Sequence, residues 1–210
     1  GIAAAVSHVA TSEADAVLAA NAIGYPVVMK AVGPAIVHKT EMDAVRVGVN
    51  DAAAVGRVWR DFAGRLSTTM TGVLVQEMVK GGVEMLVGAT EDPLFGPVVA
   101  CATGGVMAEL LSDAAFRLCP FSERDAAAMI EELRGVKLLR GYRGAPPADE
   151  AALRSALLRL SAVATLCPEI REMDINPLMV LPRGVKAVDA RVRVERLKPP
   201  QHAIGAPVLG

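Results

Sequence analysis

Capping residues followed by Ala-rich and Leu-rich stretches mark the helices of this chain. Ser12 opens the first stretch, and Asp15 three positions later completes a capping box. Gly24 follows the stretch, and a glycine in that position commonly ends a helix. Read in this way, the sequence predicts helices over about 12–23, 51–66, 122–133 and 149–167.

Short apolar or alternating runs predict the strands. Residues 26–31 are typical of a buried strand, and we expect Lys30 to emerge where that strand reaches the sheet edge. Residues 73–79 and 83–89 flank the turn Lys80–Gly82, so they predict a hairpin. Two further strands are expected, over 44–49 and 97–102.

A second predicted hairpin near the C-terminus carries polar residues on one face. If its loop is the four residues Leu181–Gly184, three pairs stand opposite one another: Val180 with Val185, Asn176 with Asp189, and Asp174 with Arg191. Two carboxylates and an amide oxygen then converge. Mg²⁺ prefers such oxygen ligands when substrate phosphates complete its shell. The alternative is a surface hairpin with a salt-bridged polar face.

The order of these elements predicts an α+β fold of two lobes. We place the N-terminal lobe at residues 1–75 and the C-terminal lobe at 76–197. Residues 198–210 begin near two consecutive prolines and are expected to form a mobile tail.

Composition narrows the function classes. At 210 residues the chain can bury a full core. A formal net charge of −1, with both signs interspersed, argues against a nucleic-acid or membrane surface and favours small-molecule chemistry. No apolar run reaches the about 20 residues that span a bilayer. The cysteines lack C-x-x-C spacing, so we expect buried thiols in a reducing cytoplasm: Cys101, Cys119 and Cys167.

Several residues outside the C-terminal hairpin suit a nucleotide. Lys30 could neutralise a phosphate, although a lone lysine is more often a surface residue. Glu84 could bind a ribose hydroxyl, and the preceding strand end offers backbone groups for an adenine edge through Gln76, Glu77, Met78 and Val79. The alternative for this region is an ordinary glycine hairpin with exposed glutamates.

Two loops could contact phosphate. His38 could act as a nucleophile towards phosphorus, or it is a surface histidine. Gly104 and Gly105 could present backbone N–H groups to an anion, which is a weak signal by itself. The chain has neither G-x-G-x-x-G nor G-x-x-x-x-G-K-[ST], which argues against Rossmann and P-loop sites.

Together these segments resemble the ATP-grasp module of the ADP-forming acyl-CoA synthetases, from about Ser12 to Val194. The most specific strings are Leu139–Gly144 and Asp174–Leu178, and a similar closing hairpin occurs in the nucleotide-binding subunit of succinyl-CoA synthetase. The segment from Thr103 to Leu118 resembles the glycine loop and the strand after it. The resemblance implies a two-lobed ATP-grasp fold in which the nucleotide is held between two β-sheets.

The resemblance also implies roles for individual residues. The metal ligands are Asn176 and Asp189. Catalytic roles fall to His38, Lys39 and Asp174, and His38 lies in a His-Lys-Thr string that carries an additional phosphoryl group in the family. The cofactors are ATP or ADP with Mg²⁺, and the nucleotide-binding residues are Lys30, Gln76, Glu77, Met78, Val79, Glu84, Gly104 and Gly105.

The implied activity is a phosphoryl relay. A separate CoA-binding domain or subunit would handle acyl-CoA and carry a phosphohistidine, and this module would pass the phosphoryl group to ADP. We therefore expect a cytoplasmic ligase component that assembles as a hetero- or homo-oligomer.

One departure from the family keeps other hypotheses open. Asp43 and Ala44 stand where the family usually has two glycines, so a negative side chain enters a loop that should approach anions. The rival hypothesis is a catalytically degenerate regulatory or structural module, as in fused protein acetyltransferases. A third, an interaction module without a ligand, leaves Glu84, Asn176 and Asp189 without a common purpose.

Overall fold

The computed structural model describes residues 1–36, 42–105 and 113–196. Contacts divide the chain into two compact units, one of them Ala3–Gly81 and the other beginning at Gly82 and including Gly1–Ile2. The predicted tail at 198–210 lies outside the described residues. Among those that are described, no helix is both long and apolar enough to cross a membrane.

The first unit consists of one antiparallel sheet and two helices. Its helices are α1 (Glu13–Ile23) and α2 (Ala52–Arg65). The strands of this part of the chain are β1 (Ala3–Ala4), β2 (Ser7–Ala10), β3 (Val27–Val32), β4 (Val45–Val49) and β5 (Gly72–Glu77). Four of them form a sheet in the order β2-β5-β3-β4. Side chains from both helices and one sheet face form the core, among them Phe62, Met29 and Val75.

The second unit has a larger antiparallel sheet with helices on one face. Its helices are α3 (Glu123–Glu132), α4 (Val136–Leu139) and α5 (Glu150–Leu166). Its strands are β6 (Val83–Asp92), β7 (Gly96–Thr103), β8 (Ala114–Leu118), β9 (Ile170–Val180), β10 (Val185–Ala187) and β11 (Ala190–Val194). The order in this sheet is β1-β10-β9-β6-β7-β8, so the short strand β1 pairs here and not in the first sheet, and β11 also pairs with β9. Leu157 and Met129 pack from the helices onto Met85, Val87 and Cys101 of the sheet.

The predicted helix boundaries are confirmed to within a residue or two. The Ser12 hydroxyl accepts a hydrogen bond from the Asp15 backbone N–H at 3.2 Å, and Gly24 follows the last turn at a φ of 94°. Asp51 caps α2 through the Ala54 N–H at 2.7 Å. Local capping chemistry therefore determines where these helices begin and end.

The predicted hairpin of residues 73–79 with 83–89 is wrong. β5 pairs with β3 and β2, whereas β6 pairs with β7 and β9. The reason lies in burial, because Val73 belongs to the core of the first unit and Met85 to the core of the second. The Gly81–Gly82 pair therefore links the two units.

The boundary between units follows from the same pairing. We predict a division after Val75, whereas the contacts divide the chain between Gly81 and Gly82. β5 continues to Glu77, and its whole length pairs within the first sheet, with Glu77 opposite Val27.

Candidate functional site

The C-terminal hairpin has the predicted register. Val180 pairs with Val185, and Asp174 pairs with Arg191. The Asn176 N–H donates to the Asp189 carbonyl oxygen at 3.1 Å, as expected for residues that stand opposite each other. The loop is closed by the Leu181 N–H, which donates to the Gly184 carbonyl oxygen at 3.0 Å.

A small cavity lies beside the polar residues of this hairpin. It measures about 140 Å³ and is lined by Asp174, Asn176, Asp189, Ala190 and Arg191. The lining therefore contains every residue predicted to surround the metal. The described residues hold no cluster of three or more His, Cys, Asp or Glu side chains arranged for a metal ion. Two carboxylates with an amide oxygen fit Mg²⁺ when substrate phosphates and water supply its other ligands.

The electrostatics of Asp174 are consistent with a site for a cation. Burial raises the pKa of the half-buried Asp174 carboxyl above its usual value, Arg191 acts in the opposite direction, and the charges of Glu172 and Asp189 raise the pKa further. Negative charge is thus costly at this position without a compensating cation.

Glu84 and the glycine loop are brought together at one end of the same sheet. The Gly104 N–H donates to the Glu84 carbonyl oxygen at 2.7 Å. A methyl group at Gly104 would lie 2.7 Å from that oxygen, so the close approach requires glycine. A methyl group at Gly105, whose φ is 73°, would lie 3.4 Å from the Glu84 Oε2. An exposed carboxylate beside an open backbone turn is suited to sugar hydroxyls.

Asp113 anchors the end of β7, a role that the sequence reasoning missed. Its side chain is 5% exposed. It accepts hydrogen bonds from the backbone N–H groups of Arg134 at 2.7 Å and Gly135 at 2.8 Å, and from the Thr103 hydroxyl at 3.1 Å. The two backbone donors lie 21 and 22 residues from Asp113 along the chain, and no local sequence pattern predicts such contacts.

The diagnostic Leu139–Gly144 string has a structural role in the described residues. Arg140 forms ion pairs with Glu131 and with Glu150, the latter at 3.0 Å, and so ties α3 to α5. Gly141 has a φ of 91°, and a methyl group there would lie 2.8 Å from the Ala145 carbonyl oxygen.

Lys30 lies inside a sheet, which corrects its predicted position at a sheet edge. β3 continues to Val32 and is flanked by β5 and β4, with Lys30 opposite Leu74 and Val45. The side chain is 7% exposed, so Lys30 is not a surface lysine. Gln76 of β5 is buried on the same sheet face, because its partner Val28 is two residues from Lys30.

Glu77 is committed to the first sheet. Its carboxylate accepts the Val6 N–H at 3.0 Å, and its own N–H donates to the Val6 carbonyl oxygen at 2.8 Å. The expectation of a free backbone donor is therefore wrong for Glu77, because that donor completes the pairing beside β2. Met78 and Val79 follow the strand and are half-buried.

Asp43 occupies a backbone conformation that favours glycine. Its φ is 50°, a left-handed conformation that glycine adopts freely and that aspartate tolerates better than most other residues. The Arg46 guanidinium donates to both carboxylate oxygens, at 2.6 and 2.9 Å, and Arg65 donates to the Asp43 carbonyl oxygen at 3.0 Å. The bond to Arg46 is the main cause that lowers the Asp43 pKa. The negative charge is thus already paired.

Replacing Asp43 with glycine should therefore change MgADP affinity by less than about twofold, because a paired surface charge contributes little at a distance. Titration calorimetry of the wild type and Asp43→Gly measures this. Asp43→Asn is the matched control, since it keeps the side-chain volume. A tenfold gain in affinity would show that the carboxylate opposes bound phosphate.

Two predicted catalytic residues, His38 and Lys39, lie outside the described residues. Their roles stay predictions.

Comparison with known proteins identifies relatives over most of the chain. The sequence profile of the ATP-grasp domain family matches residues 1–194. The acetate–CoA ligase (ADP-forming) I of Archaeoglobus fulgidus is 43% identical over 177 residues, which is 82% of this chain and 26% of that protein. This chain therefore spans about a quarter of that relative. The β subunit of acetate–CoA ligase (ADP-forming) I of Pyrococcus furiosus is 35% identical over 189 residues, 88% of this chain and 82% of the subunit.

Solved structures agree with these matches. The dinucleotide-forming acetyl-coenzyme A synthetase 1 of Candidatus Korarchaeum cryptofilum, in complex with coenzyme A, Ca-AMPCP and HgCl⁺, superimposes with a TM-score of 0.88 at 40% identity, covering 93% of this chain and 87% of that one. A complex of that enzyme with coenzyme A and Mg-AMPPCP, in which a phosphohistidine segment points towards the nucleotide site, gives 0.81 at 39% identity, covering 93% and 86%. The predicted ATP-grasp fold is confirmed.

Proposed function

The chain belongs to the ATP-grasp domain family, and from this premise we propose that it is the nucleotide-binding module of an ADP-forming acyl-CoA ligase. The overall reaction is acyl-CoA + ADP + phosphate = carboxylic acid + CoA + ATP. In the steps assigned to this module, the phosphoryl group passes from a partner's phosphohistidine to His38 and then from His38 to a terminal phosphate oxygen of ADP, and in each transfer one N–P bond breaks as the new bond to phosphorus forms. Neutral histidine and ATP are the products.

The observation that carries this proposal is the cavity lined by Asp174, Asn176 and Asp189. These are hard oxygen donors on neighbouring strands, and the pairing of the strands brings them to the lining of one cavity. Mg²⁺ held by Asn176 and Asp189 would neutralise charge on the nucleotide phosphates. Lys30 would add a fixed positive charge to phosphate binding, and Glu84 with Gly104 and Gly105 would hold the ribose.

The partner in this proposal is a CoA-binding domain or subunit that carries the phosphohistidine. The proposed relay requires this partner, because acyl-CoA, phosphate and the first phosphohistidine are handled outside this module. Phosphoryl transfer depends on in-line placement and cancelled charge, so the two components must assemble before transfer occurs. Of the three cysteines expected to be buried, Cys101 is buried, whereas Cys119 and Cys167 are half-buried. A cytoplasmic location remains part of the proposal.

Active transfer is favoured over the catalytically degenerate module because the negative charge of Asp43, which raised the doubt, is neutralised by neighbouring arginines. Arg46 and Arg65 hold Asp43 through its carboxylate and carbonyl groups, so the loop gains no unpaired negative charge.

Titration calorimetry with MgADP and MgATP tests nucleotide binding directly. We expect saturable binding of both nucleotides, weaker when EDTA removes the metal. Absence of binding would contradict the proposal and favour a pure interaction module.

Replacing His38 with alanine tests the transfer step in the complete synthetase. We expect MgADP affinity within about twofold of the wild type and ATP formation reduced by at least roughly a thousandfold, since a covalent carrier would be lost. Titration calorimetry measures the MgADP affinity, and an ATP assay measures ATP formation. Phosphate-affinity gels detect the phosphorylation of His38 in the wild type, and His8→Ala serves as a surface-histidine control. Retained turnover in the alanine variant would show that His38 is incidental. In the wild type, nucleotide binding without any phosphorylation of His38 would favour the regulatory module.

A further inference from the structure

The face of the second sheet opposite the helices carries two straight rows of paired residues. The first row runs across β11, β9, β6, β7 and β8 through Arg191, Asp174, Gly88, Ala100 and Phe116. The second row runs beside it through Arg193, Glu172, Thr90, Val98 and Leu118. Paired residues of neighbouring strands point to the same side, so each row lies on one face.

Small residues in the middle of the rows produce a groove. Gly88 and Ala100 form its floor, between a charged wall on β9 and β11 and an apolar wall at Phe116. A methyl group at Gly88 would lie 2.9 Å from the Met173 carbonyl oxygen, so the strands approach too closely there for any other residue. The groove has a volume of about 420 Å³, which falls in the range of ligand-binding pockets.

The apolar wall is open to solvent. Phe116 is 60% exposed and Leu118 is 52% exposed, and they stand side by side on the same face. Large apolar side chains that are exposed together beside a groove mark an interaction site. Aromatic residues in particular serve as anchors in protein interfaces.

The charged wall limits what the groove can hold. Asp174 and Glu172 face Arg191 and Arg193, and Arg193 donates to the Glu172 carboxylate at 3.2 Å. The wall therefore has balanced charge, which gives no net attraction for a polyphosphate. A polypeptide segment with apolar side chains and few charges is the better complement.

The groove is continuous with the cavity of the C-terminal hairpin, because Asp174 and Arg191 line both. We propose that the groove receives an apolar segment of the CoA-binding partner and guides that segment to the cavity lined by Asp174, Asn176 and Asp189. This inference rests on the proposed function. The partner must deliver its phosphoryl group towards the nucleotide at this cavity, and the match covers only 26% of the Archaeoglobus relative, so about three quarters of that protein lie outside the matched segment.

Two substitutions in the complete synthetase test the groove from opposite sides. Ala100→Leu fills the floor, and Phe116→Ala removes the apolar wall. The matched control is Phe95→Ala, since Phe95 is 67% exposed in the turn between β6 and β7 and does not line the groove. ATP formation from acyl-CoA, ADP and phosphate is measured with MgADP affinity, thermal midpoint and oligomeric mass of each variant.

We expect ATP formation to fall roughly tenfold in both groove variants, as for loss of an interface anchor, with MgADP affinity, midpoint and mass as in the wild type. Phe95→Ala should match the wild type. Wild-type ATP formation in both groove variants would overturn the inference. A parallel loss of MgADP affinity would assign the groove to the nucleotide, and a change in mass would assign it to a second copy of the chain. Failure of the wild type to bind MgADP would instead refute the proposed function.

Discussion

Replacing Asp189 with alanine will lower the affinity for MgADP by roughly 10-fold to 100-fold and leave the affinity for metal-free ADP nearly unchanged. The reason is that Asp189 lines the cavity with Asp174 and Asn176 and would contribute a charged oxygen to the metal. Neutral amide oxygen alone binds Mg²⁺ weakly, so removal of the carboxylate affects the metal-bound nucleotide most. Titration calorimetry with MgADP and with ADP in EDTA separates the two affinities.

Two control variants guard against a local structural effect of Asp189→Ala. The Asp189 Oδ1 accepts a hydrogen bond from the Ala190 N–H at 3.0 Å, and Asp189→Asn keeps that acceptor while removing the charge. We expect Asp189→Asn to weaken MgADP binding as well, and Glu169→Ala, an exposed carboxylate outside the cavity, to have no effect. Equal weakening with and without metal would remove Asp189 from the metal site.

Replacing Asp113 with alanine will destabilise the protein by about 2–4 kcal/mol. The substitution leaves three donors without their acceptor: two backbone N–H groups, of Arg134 and Gly135, and the Thr103 hydroxyl. The site is buried, so water does not replace the lost acceptor cheaply. Urea denaturation monitored by circular dichroism measures the change in the free energy of unfolding.

Asp92 provides the matched control for Asp113. Its carboxylate accepts two backbone N–H groups, from Leu94 at 2.8 Å and Phe95 at 2.9 Å, in an exposed turn of the same unit. Asp92→Ala should cost less than about 1 kcal/mol, since water can hydrate the freed donors. If Asp113→Ala costs no more than Asp92→Ala, Asp113 does not anchor the end of β7. Because Gly104 directly follows β7, we also expect Asp113→Ala to weaken MgADP binding.

Features governed by short-range chemistry were accessible from the sequence. Ser122 and Asp125 form a reciprocal capping box at the start of α3, as their spacing predicts. The register of the C-terminal hairpin follows from a four-residue loop and alternating side chains, so Asp174 stands opposite Arg191 as expected. In both cases the interacting residues are neighbours in sequence or are joined by one tight turn.

Features governed by long-range pairing were not accessible. β5 and β6 are adjacent in sequence and each alternates like a hairpin strand, yet each finds its partners in a different sheet. The burial of Lys30 depends on β5 and β4 flanking β3, which no local pattern encodes. Asp43 and Arg46 are close in sequence, but the sequence does not show that their side chains pair. That pairing is evident only from the φ of 50° at Asp43 and from the direction of both side chains.

The position of the metal in a crystal structure of this chain with Mg-AMPPCP tests the central claim most directly. We predict Mg²⁺ bound to oxygen atoms of Asn176 and Asp189 at about 2.0–2.1 Å, with phosphate oxygens completing an octahedral shell. A nucleotide whose metal is held by other side chains, with Asn176 and Asp189 remote from it, would contradict the account.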